Sequence, residues 1–238
     1  MSLLLDFLCR FGWGLAAALV LTPASVVPAG FFRVNLLVVL GLATFAALVA
    51  RTTLPGPTWI VAAGAAVVAW LGSVVWLAER KRAGLVCCGI ASLLLAAATV
   101  LVQGRWSAAG AAVLSGLVSG CAVHAMLLGH WYLNAPGMSV NALRRMIDLA
   151  LLAWGAQFAV AVGGLLAASG GPLPAGWTTF ALTALRWLAG LVGLPVLLLM
   201  ARKTLDIPNT QSATGILYVA SLAAILGELT GQLLLGSS

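Results

Sequence analysis

Arg186 and Glu228 are the residues whose position is hardest to explain by packing. Arg186 lies in the middle of an apolar stretch, Trp177 to Met200. A cation at membrane depth costs at least about 2.5–3.5 kcal/mol, so it needs a partner or a water-filled surrounding. Thr179, Thr183, Arg186, Gly190 and Gly193 share one face of that stretch. The two glycines would admit a close neighbour beside the arginine. In the last apolar run, Thr214, Tyr218, Ser221, Glu228 and Gln232 follow at steps of four, three, seven and four, which is one helical face. A face that includes a carboxylate must meet protein or water. At about 1.5 Å per residue, Arg186 and Glu228 fall at similar depth on adjacent antiparallel helices. The spacing predicts that they pair, directly or through water, either as a site or as a lock between helices.

Both histidines lie on one run. Ala112, Gly116, Gly120 and His124 recur every four residues, a seam of small residues ending in an imidazole that should face a close partner helix. His130 follows at roughly 120° around the helix, so the two cannot readily share one iron or metal ion. With no third histidine, haem held by this chain alone is disfavoured, even with Met126 or Met200 as a second ligand. No metal site is expected. The segment Gly129-His130-Trp131-Tyr132-Leu133-Asn134-Ala135-Pro136-Gly137-Met138 ends this run. Its aromatic residues suit an interfacial belt. Alternatively, His130, Tyr132 and Asn134 form a headgroup-level pocket for a quinone carbonyl or a lipid headgroup, with His130 able to take up protons. A polar file would then run inward through His124, Gln157 and Tyr218 to Arg186 and Glu228. Gln157 is expected to hydrogen-bond another helix.

The elements that must hold these residues are transmembrane helices. Of 238 residues, 63% are hydrophobic and only 7% charged. A soluble domain carries about 25% charged residues, so a water-exposed surface cannot be built from this composition. The fold class is all-α, a polytopic integral membrane protein in the lipid bilayer. Eight runs are expected near Leu3–Thr22, Phe32–Ala50, Thr58–Ala78, Ala83–Val102, Ser107–Leu133, Met146–Ala168, Trp177–Met200 and Ser212–Leu235. Each has the length that roughly 30 Å of hydrocarbon requires. Turn chemistry separates them at Pro23 to Pro28, Leu54-Pro55-Gly56-Pro57, Gly170-Gly171-Pro172 and Ile207-Pro208-Asn209. The N-terminus lacks the basic stretch of a signal peptide, so the first run should stay as a helix.

Charge sets the expected orientation. One side receives Arg33, Arg80, Lys81, Arg82, Arg144, Arg145, Arg202 and Lys203; the other receives Arg51, Arg105 and Arg10. Basic loops stay in the cytoplasm, so both termini should be extracytoplasmic, in the cell (inner) membrane. These cations are read as topology determinants, not a nucleic-acid surface, although they also suit anionic lipid. Local pairs are expected at i, i+4 for Asp6 with Arg10, and between Asp148 and Arg144 or Arg145. Cys9, Cys87, Cys88 and Cys121 lie in apolar runs and read as small buried hydrophobes.

The chain is read as a single membrane domain, and its halves, 1–104 and 105–238, show a faint parallel repeat. Pro57-Thr58-Trp59 with Trp70-Leu71-Gly72 answers Pro174-Ala175-Gly176-Trp177 with Trp187-Leu188-Ala189. Leu21-Thr22-Pro23 before Arg33 answers Leu133-Asn134-Ala135-Pro136 before Arg144. In helix count, two units of four resemble the quinone-interacting membrane anchors of the polysulfide-reductase type, a likeness that no motif carries. The chain has no Walker loop, no H-E-x-x-H, no G-x-S-x-G, no dinucleotide fingerprint and no intrahelical lysine for a retinal Schiff base. Three readings follow. The first is a subunit of an electron-transfer or proton-coupled complex with the pocket near His130, working with other membrane subunits. The second is a small-solute transporter or channel with Arg186 at the binding site. The third is an assembly protein without chemistry of its own.

Overall fold

A computed structural model describes residues 3–54, 56–135, 139–167, 176–207 and 209–236. Pro55, Pro136 to Met138, Gly170-Gly171-Pro172, Pro174-Ala175 and Pro208, all named above, lie outside the described residues. The described chain is all-helical, with eight helices long and apolar enough to cross a membrane. Lipid offers no hydrogen-bond partners, so each span must satisfy its backbone internally, and a helix does so. The spans are α1 (Leu3–Leu21), α2 (Ala29–Thr53), α3 (Thr58–Leu77), α4 (Lys81–Gln103), α5 (Trp106–Asn134), α6 (Asn141–Ala167), α7 (Trp177–Thr204) and α8 (Thr210–Gly236).

Several helix starts come earlier than hydropathy alone suggests. α4 and α6 begin at Lys81 and Asn141, so Lys81, Arg82, Arg144 and Arg145 are helical instead of in loops. Long basic side chains let a helix continue past the hydrocarbon edge while their charges stay hydrated. The i, i+4 spacing of Asp148 gives way to tertiary pairing: Asp148 pairs with Arg202 of α7, not with Arg144 or Arg145. Arg144 instead reaches Asp206, at 3.0 Å, and donates to the Leu205 carbonyl at 2.8 Å. Two ion pairs therefore tie the same end of α6 to α7.

Packing closes two rings of four. α1 packs on α2 and α4, and α3 on α2 and α4; α5 packs on α6 and α8, and α7 on α6 and α8. The rings meet chiefly where α1 lies against α5, with α4 against α5 and α1 against α8 as lesser contacts. The seam is built from glycine. A Cβ on Gly14 would lie 1.8 Å from the Gly116 carbonyl oxygen, and one on Gly120 would lie 2.1 Å from the Gly14 carbonyl carbon. Only glycine lets the two backbones come so near, and Trp13 Nε1 then donates to the Val113 carbonyl at 2.7 Å. In the first ring Trp76 stacks on Phe32 with centroids 4.2 Å apart.

α7 departs from a regular helix. It runs as α-helix over Trp177–Leu185, as π-helix over Arg186–Gly193 and as α-helix again over Leu194–Thr204. The wider turn begins at Arg186 itself. π segments are energetically poor and recur at functional sites. Gly190, within this segment, faces Gly227 of α8: a Cβ on Gly227 would lie 2.6 Å from Gly190 Cα.

Candidate functional site

The site is a cavity at the end of the second ring that carries the chain's N-terminus. Its volume is about 570 Å³, and helices α1, α5, α6, α7 and α8 contribute to its wall. That volume lies within the roughly 300–1,000 Å³ of small-molecule pockets. The polar part of the lining is Arg10, Arg105, Ser115, Gln157, Arg186 and Glu228; Ala108, Leu114, Val160, Leu165, Trp187 and Leu191 are among the apolar part. A water-sized recess continues inward, lined by Ser115, Ser119, Gln157, Arg186, Gly190 and Glu228 among others.

Arg186 and Glu228 face this cavity together but are not paired. Among the described residues no carboxylate lies within 4 Å of the Arg186 guanidinium, and no hydrogen bond reaches it. Glu228 belongs to Arg10 instead, whose Nη1 lies 3.1 Å from Glu228 Oε1. The same arginine holds Asp6 through two contacts, Nε at 2.8 Å and Nη2 at 2.6 Å, so the i, i+4 pair expected from the sequence is present. Arg10 also reaches Ser115 Oγ at 3.3 Å. Two amides finish the cluster: Gln103 Nε2 donates to Asp6 Oδ1 at 2.5 Å and Gln232 Nε2 to Glu228 Oε1 at 2.7 Å. Arg10, Asp6 and Glu228 are 5%, 6% and 5% exposed, so this is a buried ion cluster at the junction of the two rings. Arg10 was missed as a partner because its spacing to Asp6 already accounted for its charge. Its second partner lies 218 residues away, where no local pattern can show it.

Gln157 makes no hydrogen bond among the described residues. It lines the cavity beside Arg186. The structure therefore brings Arg186, Gln157 and Glu228 together and leaves the other network candidates elsewhere. His124 is wholly buried, with Nε2 2.7 Å from Thr22 Oγ1 of the α1 end and its ring edge-on to Phe31. The small-residue seam that leads to it does face a close helix, α1. Tyr218 leaves the polar face of α8, being 44% exposed, and lies 3.1 Å from His130 Nδ1. The polar residues thus form separate clusters, not one file.

At the opposite end of α5, the pocket candidates are occupied by internal bonds. Tyr132 is buried and donates to the Ser139 carbonyl at 2.5 Å. Asn134 donates to the His130 carbonyl at 3.4 Å, and His130 itself meets Tyr218. Pro136, Gly137 and Met138, which end the same segment, lie outside the described residues. Among the described residues no group of three or more His, Cys, Asp or Glu could hold a metal ion.

Comparison with known proteins adds no relative: no family model, no curated protein and no solved structure matches the chain, and its function has to be read from this geometry.

Proposed function

We propose that this protein is a membrane transporter or channel for a small anion, or for a solute with an anionic group, which docks at Arg186. One observation carries the reading: among the described residues Arg186 has no acidic partner, yet it lines a cavity of about 570 Å³ within the span. A buried or half-buried guanidinium is stabilised by an anion in bidentate contact more than by any neutral group. Gln157 supplies an amide beside it that can donate to the same anion. The Arg10 cluster supports the arrangement. By holding Glu228 on Arg10, it keeps that carboxylate from neutralising Arg186.

Loop charge supports an extracytoplasmic cavity, because the basic clusters gather at the other end. Substrate would enter from outside and meet Arg186 near mid-membrane, with the glycine contact between α7 and α8 just beyond it. A chain serving only assembly would not need an unpaired arginine. A quinone site near His130 has less support, since His130, Tyr132 and Asn134 already bond within the protein.

The test is thermal unfolding of the detergent-solubilised protein against a panel of anions, cations and neutral solutes. Ligand that binds only the folded state raises Tm with concentration. At least one class of anion should stabilise the wild type, and Arg186→Gln should lose the effect. Stabilisation that survives in Arg186→Gln, or that no anion produces, would refute the proposal.

A further inference from the structure

Among the described residues the wall of the cavity is incomplete on one side. α6 meets α7 through the last segment of α7, Leu194–Thr204, whereas residues 157–166 of α6 are not closely packed on Trp177–Leu185 or Arg186–Gly193. The side chains beside this gap are apolar: Val160 and Leu165 from α6, and Trp187 and Leu191 from α7. Val160 and Leu165 are 53% and 58% exposed, so the edge of the gap is apolar and uncovered by the described residues. Gly164 lies between them, and a Cβ there would meet nothing within 4 Å. The cavity therefore has Arg186 at its inner end and an apolar side opening between two spans.

We infer that the ligand is an anionic amphiphile, a carboxylate or phosphate monoester whose head docks at Arg186 and whose alkyl chain lies in the gap between α6 and α7. This deepens the anion-binding reading and rests on it. An inorganic anion or small acid has no use for an opening toward lipid. An alkyl chain does: drawing it fully into a closed polar cavity would forfeit its hydrophobic free energy methylene by methylene. A side opening lets the chain stay in hydrocarbon while only the head leaves the interface. The charge balance agrees. Among the described residues Arg10 holds both Asp6 and Glu228, three groups that sum to −1, while Arg105 and Arg186 line the cavity with no acidic partner, so the five together carry +1 and suit a singly charged head. Trp187, on the lining, gives the chain a flat apolar neighbour and the experiment a reporter.

The protein in lipid nanodiscs would be titrated with 11-bromoundecanoate in mildly alkaline buffer, reading bromine quenching of tryptophan fluorescence. Expected is a saturable component that Trp187→Phe removes and whose half-saturation rises at least about tenfold in Arg186→Gln, the loss of a charge-assisted hydrogen-bonded contact. Gly164→Leu, which fills open space, should weaken bromoundecanoate while sparing the anion-induced rise in Tm. Dodecanoate should displace the probe, and acetate at equal concentration should not. Equal displacement by acetate would overturn the amphiphile and leave the anion site standing. Saturable quenching by 11-bromoundecanol as strong as by the acid would also overturn it. Absence of saturable quenching together with absence of any anion effect on Tm would remove both readings.

Discussion

Arg10 and Arg186 both lie within membrane-spanning helices, and they differ in what surrounds them. Arg10 is held by two carboxylates and a serine, so removing its charge leaves Asp6 and Glu228 buried without a cation. Arg10→Met should therefore destabilise the fold by about 3–5 kcal/mol, the usual cost of breaking a buried ion pair from one side. Arg186 gives up no ion pair when replaced, so Arg186→Met should leave stability unchanged or raise it while abolishing the response to anions. Chemical denaturation in detergent measures both. Equal losses from the two substitutions would mean that Arg186 is structural. This opposition is expected of functional residues, which are retained at some cost to the fold. From the sequence, Arg186 and Glu228 were legible as residues that need an explanation, and their shared cavity follows from helical depth. Their pairing was not legible. Helical periodicity gives a residue's face and depth but not which of several helices it meets, and Arg10 on α1 was a competitor for Glu228 that local spacing had already assigned to Asp6.

At the scale of elements, glycine decides which helices touch. Gly14, Gly116 and Gly120 let α1 and α5 approach to backbone contact, and the Arg10 cluster is assembled across that seam. Gly14→Ala or Gly116→Ala would place a methyl on the opposing backbone and should drive the rings apart, seen as a large fall in Tm and loss of a monodisperse gel-filtration peak. Gly41→Ala and Gly155→Ala, where a Cβ meets nothing within 4 Å, serve as controls and should be neutral or mildly stabilising, since alanine is the better helix former. If all four behave alike, the seam is not what joins the rings. The eight spans were readable from hydropathy, because a run of about 20 apolar residues leaves the backbone no other way to be satisfied. The small-residue seam on α5 was readable from its four-residue period. The π segment was not. Arg186 to Gly193 looks like ordinary helix by composition, and widening depends on how α7 fits against α8 at Gly190 and Gly227, a tertiary property.

Over the whole molecule, the two rings differ in how they use their interiors. The first is filled by apolar packing around Phe31, Phe32 and Trp76, all at most 1% exposed. The second keeps its core at the basic end, where Arg144 and Arg202 tie α6 to α7, and opens toward the other end into the cavity. On the proposed transport reading, a closed end opposite an open one would be one access state of the path, with the ion pairs of Arg144 and Arg202 at the closed end. The most direct test is flux in sealed proteoliposomes, using the anion that stabilises the protein most in the thermal panel. Expected is protein-dependent, saturable movement of that anion that falls at least about tenfold in Arg186→Gln, the contribution of one charge-assisted contact, while the variant stays folded. Flux undiminished in Arg186→Gln, or no protein-dependent flux of any stabilising anion, would contradict the transport reading.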